Sequence, residues 1–336
     1  MVSLKDIATR CGVSIATVSK ALNGQQDIGT QTRERILKTA DEMGYLTNAA
    51  ARALKTNRTY NIGVLFVDDR HSGLAHEYFS KVIDSLRLEA ENQGYDITFI
   101  NKNVGKKPTT YLQHCRYRAV DGVVITSAIF TDPMVTELVQ SELPVVTIDH
   151  VFNDRMAVLS DNVEGEERLA RYAIERGHRK IAFIHGEMTS VTKNRLVGFY
   201  RAMEDAGIEV PNEYLKETDY HDAMGSYHAT EELLALEERP TCILYPDDFS
   251  YIGGMNAITD AGLKVPGDVS VMGYDGVGLS RVLSPVLTTW RQDTDRLGKV
   301  AMNKLISLIE HPKTTVPETS VVSGSFQEGA SVRRLS

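Results

Sequence analysis

The sequence is poor in the features that mark secreted, membrane-bound or metal-held proteins. Three cysteines, Cys11, Cys115 and Cys242, are scattered over 336 residues without a metal-ligand spacing. That usage fits a reducing compartment, the cytoplasm. No apolar run reaches the ~18 residues that a membrane span needs. No apolar leader core stands at the start, which goes straight into an amphipathic stretch. Short-period repeats and low-complexity segments are missing as well. The chain carries no G-x-S-x-G, no P-loop and no G-x-G-x-x-G behind its first apolar strand. Gly273-Tyr274-Asp275-Gly276-Val277-Gly278 has its glycines at other offsets. These absences lead to the expectation of a protein that is not an enzyme and has no cofactor, no metal and no membrane partner.

What is present is an ordinary globular composition, 42% hydrophobic and 24% charged. The length suits two or three domains. A net charge of −8 argues at first against nucleic acid, but its distribution reverses that reading. Residues 1–60 hold nine Lys or Arg against five Asp or Glu, so a small basic module is attached to an acidic body. A solvated charged face would look the same, and the asymmetry alone decides nothing.

Leu4, Ile7, Ala8 and Cys11 recur at helical spacing and give a first amphipathic helix. Gly12-Val13-Ser14 reads as a turn, with Ser14 placed to cap the next helix. That helix, from Ile15 to Leu22, buries Val18 and Leu22 and shows Ile15, Ala16, Ser19 and Lys20. Short side chains beside a lysine let a helix approach base edges in a major groove. A helical hairpin without DNA function shares part of this pattern. A third helix is expected over 30–43, with Ile36, Leu37, Ala40 and Met43 on one face and Gly44 as its stop. Residues 48–55 are Ala-rich and about two turns long, too short to be helical alone in water. They are either a hinge that folds when held or a plain linker.

From Asn61 the pattern becomes alternating strands and helices. Strands are expected at 62–67, 96–100, 122–126, 144–148, 180–184, 241–245 and 269–274. Helices are expected near 77–93, 163–176, 195–206, 223–236 and 250–261. The fold class is α/β: a three-helix head, then two doubly wound parallel-sheet lobes with a cleft between them. The last ~8 residues are expected to fray. Ligands of such sheets bind beyond the carboxyl ends of strands. Asp68, Asp69, Asp149, Asp247, Asp248 and Asp275 fall at those ends. Carboxylates take paired hydroxyls, so a cleft lined by them suits a polyhydroxy ligand such as a sugar. Each Asp is equally readable as a helix cap. His71, His76 and Glu77 are legal metal ligands in a loop, but without a strong metal spacing.

The string Leu4-Lys5-Asp6-Ile7-Ala8, Gly12-Val13-Ser14, Ala16-Thr17-Val18-Ser19-Lys20 and Leu22-Asn23 resembles the headpiece of the lactose-repressor (LacI/GalR) family. Tyr45, Asn48, Ala51 and Ala53-Leu54-Lys55 resemble that family's hinge helix. Asp161-Asn162, Glu175-Arg176-Gly177-His178, Arg195-Leu196-Val197-Gly198-Phe199, Asp247-Asp248, Gly273-Tyr274-Asp275 and Leu287-Thr288-Thr289 resemble its sensor signatures. The resemblance implies a repressor whose grip on palindromic operator DNA is set by a small effector, a sugar, and which acts as a homodimer. It implies domains at 1–46 (head), 47–60 (hinge) and 61–336 (a two-lobed body like periplasmic binding proteins). The chain lacks the extended heptad tail of the family's tetramers, which favours the dimer. DNA contacts are expected from Ser3, Leu4, Ser14, Ile15, Ala16, Thr17, Ser19, Lys20, Asn23, Tyr45, Asn48, Ala51, Leu54 and Lys55. Leu54 is the expected minor-groove wedge. Asp149, Arg195, Asp247 and Asp275 match effector-holding positions, with Phe79 and Tyr220 as aromatic neighbours. A periplasmic sugar-binding protein or an enzyme would share the body, but not the head.

Overall fold

The computed structural model describes residues 2–22, 24–25, 27–45, 58–68 and 73–335. Chain contacts divide the protein into two units, residues 1–59 and 60–336.

The first unit is three helices: α1 (Leu4–Cys11), α2 (Ile15–Leu22) and α3 (Thr30–Glu42). Each boundary has a local cause. Ser3 and Asp6 form a capping box at the start of α1, and Gly12 ends it in the left-handed region at φ 62°. The Oγ of Ser14 accepts from Thr17 N at 3.0 Å, the cap expected from sequence. Ile7, Ala8, Cys11, Val18, Ala21, Ile36 and Ala40 form the core. Two expectations change here. Ala21 is the buried partner of Val18 while Leu22 is only partly covered, and Leu37 is exposed. Both follow from packing angle: α2 and α3 meet the core along narrower stripes than their apolar residues span.

The second unit holds two six-stranded sheets. The first runs, in spatial order, Thr319–Val322, Met156–Ser160, Val145–Ile148, Gly122–Ser127, Asn61–Phe66 and Asp96–Phe99, all parallel. The second runs Ser325–Gln327, Thr288–Arg291, Ser270–Asp275, Cys242–Leu244, Ile181–His185 and Leu215–Glu217, with only the Ser325–Gln327 edge antiparallel. Their strands read as continuous apolar runs because helices cover both faces. Each sheet therefore has two cores. One face of the first buries Ile62, Val82, Leu86, Val146, Leu297 and Leu305; the other buries Leu65, Ile125 and Leu138. The second sheet is flanked by clusters around Phe183 and Phe199 and around Tyr245 and Tyr251.

The lobes are not consecutive halves, as the two series of strands implied. The chain leaves the first lobe after Met156–Ser160 and returns through helix Thr294–Glu310, whose Leu297, Met302 and Leu305 lie in the first lobe's core. It then adds Thr319–Val322 there and crosses back to place Ser325–Gln327 in the second sheet. The C-terminal tail is anchored, not frayed. Leu335 N donates to Arg176 O at 2.7 Å, and Arg333 N to Ser270 Oγ at 3.1 Å, while Ser331 and Val332 are buried.

Candidate functional site

On the head, the surface available to a partner is what α2 leaves uncovered. Burying Val18 and Ala21 turns Ile15, Ala16 and Lys20 outward. Ile15 is 49% exposed, although its side chain is the most apolar of α2, so the head's own core does not use it. Ser14 and Thr17 face one another at the N-terminus of α2, Oγ to Oγ1 at 2.8 Å. A helix N-terminus of this kind favours phosphate. Lys20 Nζ lies 2.5 Å from an Asp27 carboxylate oxygen at the surface. An ion pair this exposed costs little to break, so it does not tie Lys20 to the head. Ser3 is occupied by the α1 capping box, Ser19 is half-buried, and Leu4 and Tyr45 pack partly on the head core. Asn23, Asn48, Ala51, Leu54 and Lys55 lie outside the described residues, and the expected hinge helix with them.

In the two-lobed unit, the expected effector residues converge at the carboxyl ends of the strands. Asp149 follows Val145–Ile148 with φ 56°. Its Oδ1 accepts from Ser160 N at 2.7 Å and its Oδ2 from Tyr78 OH at 2.9 Å. Burial raises its pKa, opposed by those two donors. Its carbonyl oxygen accepts from Ser190 Oγ of the second lobe at 3.1 Å. Arg195, on helix Ser190–Asp205, is buried. Its Nε donates to Asn162 Oδ1 at 2.9 Å and its Nη1 to Pro246 O at 2.7 Å. The guanidinium carbon lies 3.5 Å from the Tyr274 ring centroid and 5.3 Å from that of Tyr220, two cation–π contacts. Burial alone disfavours its charge, but Tyr220, Tyr274, Asp275 and Glu166 together hold its pKa above the ordinary value. Asp275 ends Ser270–Asp275 with φ 96°. Its Oδ1 accepts from Gln292 Nε2 at 2.6 Å, and burial pushes its carboxyl up to about 6, opposed by Arg195. With Tyr78, Val277 and Gln292 it borders a small cavity of about 130 Å³. Non-glycine residues held at positive φ cost about 1–3 kcal/mol each and cluster at functional sites.

Not every expected residue has free bonding capacity. Asp247 is saturated: Oδ1 accepts from Phe249 N (3.0 Å) and Ser250 N (2.7 Å), Oδ2 from His221 N (2.7 Å) and Ser250 Oγ (2.8 Å). Two residues ahead of the N-cap Phe249, it accepts from the N–H groups at the start of helix Ser250–Asp260, close to the capping role that the sequence left open. Asp248 is fully buried and accepts from Thr289 Oγ1 (2.7 Å) and Val277 N (2.9 Å), joining the second lobe's strands internally. Tyr220 bonds Thr192 Oγ1 at 2.8 Å, and its ring lies so close to Gly186 that a Cβ there would fall 2.3 Å from it. Phe79 packs on Phe66 and His76, ring centroids 5.2 and 4.8 Å away. Asp68 accepts from Gly73 N at 2.6 Å, while Asp69 and His71 lie outside the described residues. No group of three or more His, Cys, Asp or Glu that could hold a metal ion occurs among the described residues.

Sequence reasoning passed over Tyr78, Asn162, Glu166, His221 and Phe249. Asn162 stands in a noted signature and Tyr78 beside an expected aromatic, but nothing in their spacing says which way they face. Glu166 is the most unusual. It lies one turn beyond Asn162 on helix Asn162–Glu175, is 1% exposed, and neither carboxylate oxygen has a hydrogen-bond partner. Burial pushes its pKa up to about 8, opposed by Arg195. Its native pKa is therefore above the unfolded value, so the native state holds a proton that the unfolded chain gives up. The sign follows: stability falls as pH rises from the ordinary carboxyl range through about 8. Glu166→Gln is expected to remove on the order of 3 kcal/mol of that decline between pH 5 and pH 8, read from thermal melts of both proteins. Parallel pH profiles for the two would show the carboxyl to be unperturbed.

A three-helix head with an uncovered α2 face, on a chain whose body is two parallel-sheet lobes with polar residues at the strand ends, is the architecture of a class of ligand-responsive regulators. Residues 3–48 match the family model of bacterial regulatory proteins of the lacI family, and residues 170–332 that of the periplasmic binding protein-like domain. The chain is 33% identical to the HTH-type transcriptional repressor PurR of Salmonella arizonae over 347 residues, covering 98% of this chain and 99% of the relative. It is 33% identical to PurR of Mannheimia succiniciproducens over 341 residues, covering all of both. Its fold is that of the Lac repressor dimer bound to operator and the anti-inducer ONPF, at TM-score 0.80, 24% identity and 99% coverage of each chain. The transcriptional regulator CelR in its cellobiose complex follows at TM-score 0.73 and 24% identity, over 98% of this chain and 100% of that one. The chain belongs to the lacI family of bacterial regulatory proteins, and it is a DNA-binding transcriptional regulator of that family.

Proposed function

We propose that this regulator is a cytoplasmic repressor that binds a near-palindromic operator as a homodimer and answers to a neutral polyhydroxy metabolite, a sugar, held between its lobes. The observation that supports it best is the exposed face of α2, an isoleucine, an alanine and a lysine over a head whose core is complete without them. In this reading Ile15, Ala16 and Lys20 meet base edges, while Ser14, Thr17, Ser19, Asn23 and Tyr45 hold phosphates. The stretch 48–55, with Leu54, serves as the hinge, within domains at 1–46, 47–60 and 61–336. In the cleft, Arg195, Asp149 and Asp275 grip the effector with Tyr220 and Phe79 beside it, and Asp247 acts through the backbone that it caps. The operator complex and the cellobiose complex named for two similar structures agree with both halves of this reading. No helix among the described residues is long and apolar enough to cross a membrane.

Selection of binding sites from random duplex by the full-length chain tests the reading. A two-fold symmetric motif is expected, and Lys20→Ala should relax preference at one position per half-site at a cost of about 1–3 kcal/mol. Recovery of unrelated sequences without symmetry would refute it.

A further inference from the structure

A stack of three rings crosses the cleft. His76, at the N-terminus of helix Glu77–Asn92 in the first lobe, lies 4.1 Å from His221 of the second lobe, ring centroid to centroid, at an interplanar angle of 25°. His221 stacks in turn on Phe249 at 3.9 Å and 14°. Phe79 closes the first-lobe end, edge-on to His76 at 4.8 Å. Neither imidazole is placed by chance. His221 sits at φ 58°, held there by its N–H to Asp247 Oδ2. Beside His76, Glu77 Oε1 accepts from Gly278 N across the cleft at 2.8 Å and pairs with Lys81 Nζ at 2.6 Å. His76 Nδ1 is buried without a hydrogen-bond partner.

We propose that the His76–His221 stack is a proton-sensitive latch between the lobes, which closes only when both imidazoles are neutral. Two imidazolium rings at 4.1 Å repel, and an unpartnered buried Nδ1 has no acceptor for a second proton. Burial lowers the pKa of His76, opposed by Asp247 and Asp68. Burial and then His76 lower that of His221, opposed by Asp247, Asp275 and Asp68. With the lobes apart, each ring regains an ordinary pKa of about 6.5. Closure then releases protons, so it is favoured at high pH and lost as pH falls through the ordinary imidazole range. The inference rests on the cleft geometry alone, not on the identity or existence of an effector. If an effector binds the closed form, its affinity inherits the same pH dependence.

Amide hydrogen exchange of the full-length protein without ligand, corrected for intrinsic rates, reads the latch. Between pH 7.5 and 5.5, protection of residues 76–80 and 219–223 is expected to fall roughly tenfold for each imidazole that closure forces to be neutral. Strand Ile181–His185 provides a reference for global stability. Asp275 titrates in this window and Glu166 near it, so variants isolate the histidines. The double variant His76→Phe, His221→Phe keeps a ring on each side and is expected to hold its protection at both pH values. His76→Phe alone should lose about half as much as the wild type on a logarithmic scale, since one imidazole remains. Unchanged wild-type protection, or an equal loss in the double variant, would overturn the latch.

Discussion

Raising salt from about 50 to about 200 mM is expected to weaken operator binding by roughly 10³–10⁵-fold, as for a protein that neutralises about 6–10 phosphates. The basis is the charge division along the chain: nine Lys or Arg against five acids in residues 1–60, and a net −12 in the remainder. Phosphate contact therefore falls to the head, because the acidic body repels DNA at long range. The hydroxyls of Ser14 and Thr17 at the N-terminus of α2 are expected to add phosphate contacts, which would carry no sequence information. Thr17→Ala should lower affinity for every duplex alike. Filter-binding titrations over a salt series check the slope. An affinity that does not move with salt would mean that the head is not the DNA-binding element.

Arg195→Ala is expected to abolish the response to effector while leaving ligand-free operator binding intact. Arg195 is buried, bonded to Asn162 and Pro246, and in cation–π contact with Tyr274 and Tyr220. Its Nε and Nη1 are used, which leaves donor capacity on the guanidinium for a ligand oxygen. Losing a charged hydrogen-bond donor from a closed site costs about 2–5 kcal/mol, or roughly 30- to several-thousand-fold in effector affinity. Asp275→Asn is expected to weaken the same binding less, because an amide still accepts from a hydroxyl. The contrast with Asp247 is informative. Its four hydrogen bonds hold the start of helix Ser250–Asp260 and the backbone of His221, so Asp247→Ala should lower melting temperature as well as effector affinity. Calorimetric titration and melts on the three variants separate a gripping residue from a capping one.

The head was readable from sequence because its signals are local. A capping serine, a left-handed glycine and apolar residues three and four apart fix α1, the turn and α2 within twenty residues. Leu37 escaped because one extra leucine beside an apolar stripe has the same spacing as a core residue, and only packing angle decides which is covered. In the body, the strands Asn61–Phe66, Asp96–Phe99, Gly122–Ser127, Val145–Ile148, Ile181–His185, Cys242–Leu244 and Ser270–Asp275 were legible as short apolar runs. The strands Met156–Ser160 and Thr288–Arg291 were not: the first is a five-residue run that periodicity cannot tell from a piece of helix, and the second, Thr-Thr-Trp-Arg, is mostly polar although its first three residues are buried by the fold. Helix Thr294–Glu310 carries a clear signal in Asp293, its capping residue, and in Leu297, Ala301 and Leu305, yet periodicity cannot say that it packs on the other lobe. The carboxylates at the strand ends were visible as candidates. Which of them caps a helix and which keeps a free oxygen depends on backbone N–H groups brought in by the fold. Glu166 gave no signal at all, because a glutamate between Gly165 and Glu167 on a helix normally faces water.

The central claim is that occupancy of the cleft sets the grip of the head on DNA, a coupling of typically about 1–3 kcal/mol. The most direct measurement is an operator titration of the full-length protein, with and without a sugar first found by thermal shift, repeated on Arg195→Ala. The account predicts a shift of about 5- to 150-fold in operator affinity for the wild type and none for the variant, with equal ligand-free affinities. An operator affinity that stays constant at saturating sugar, or a variant that shifts as far as the wild type, would contradict it.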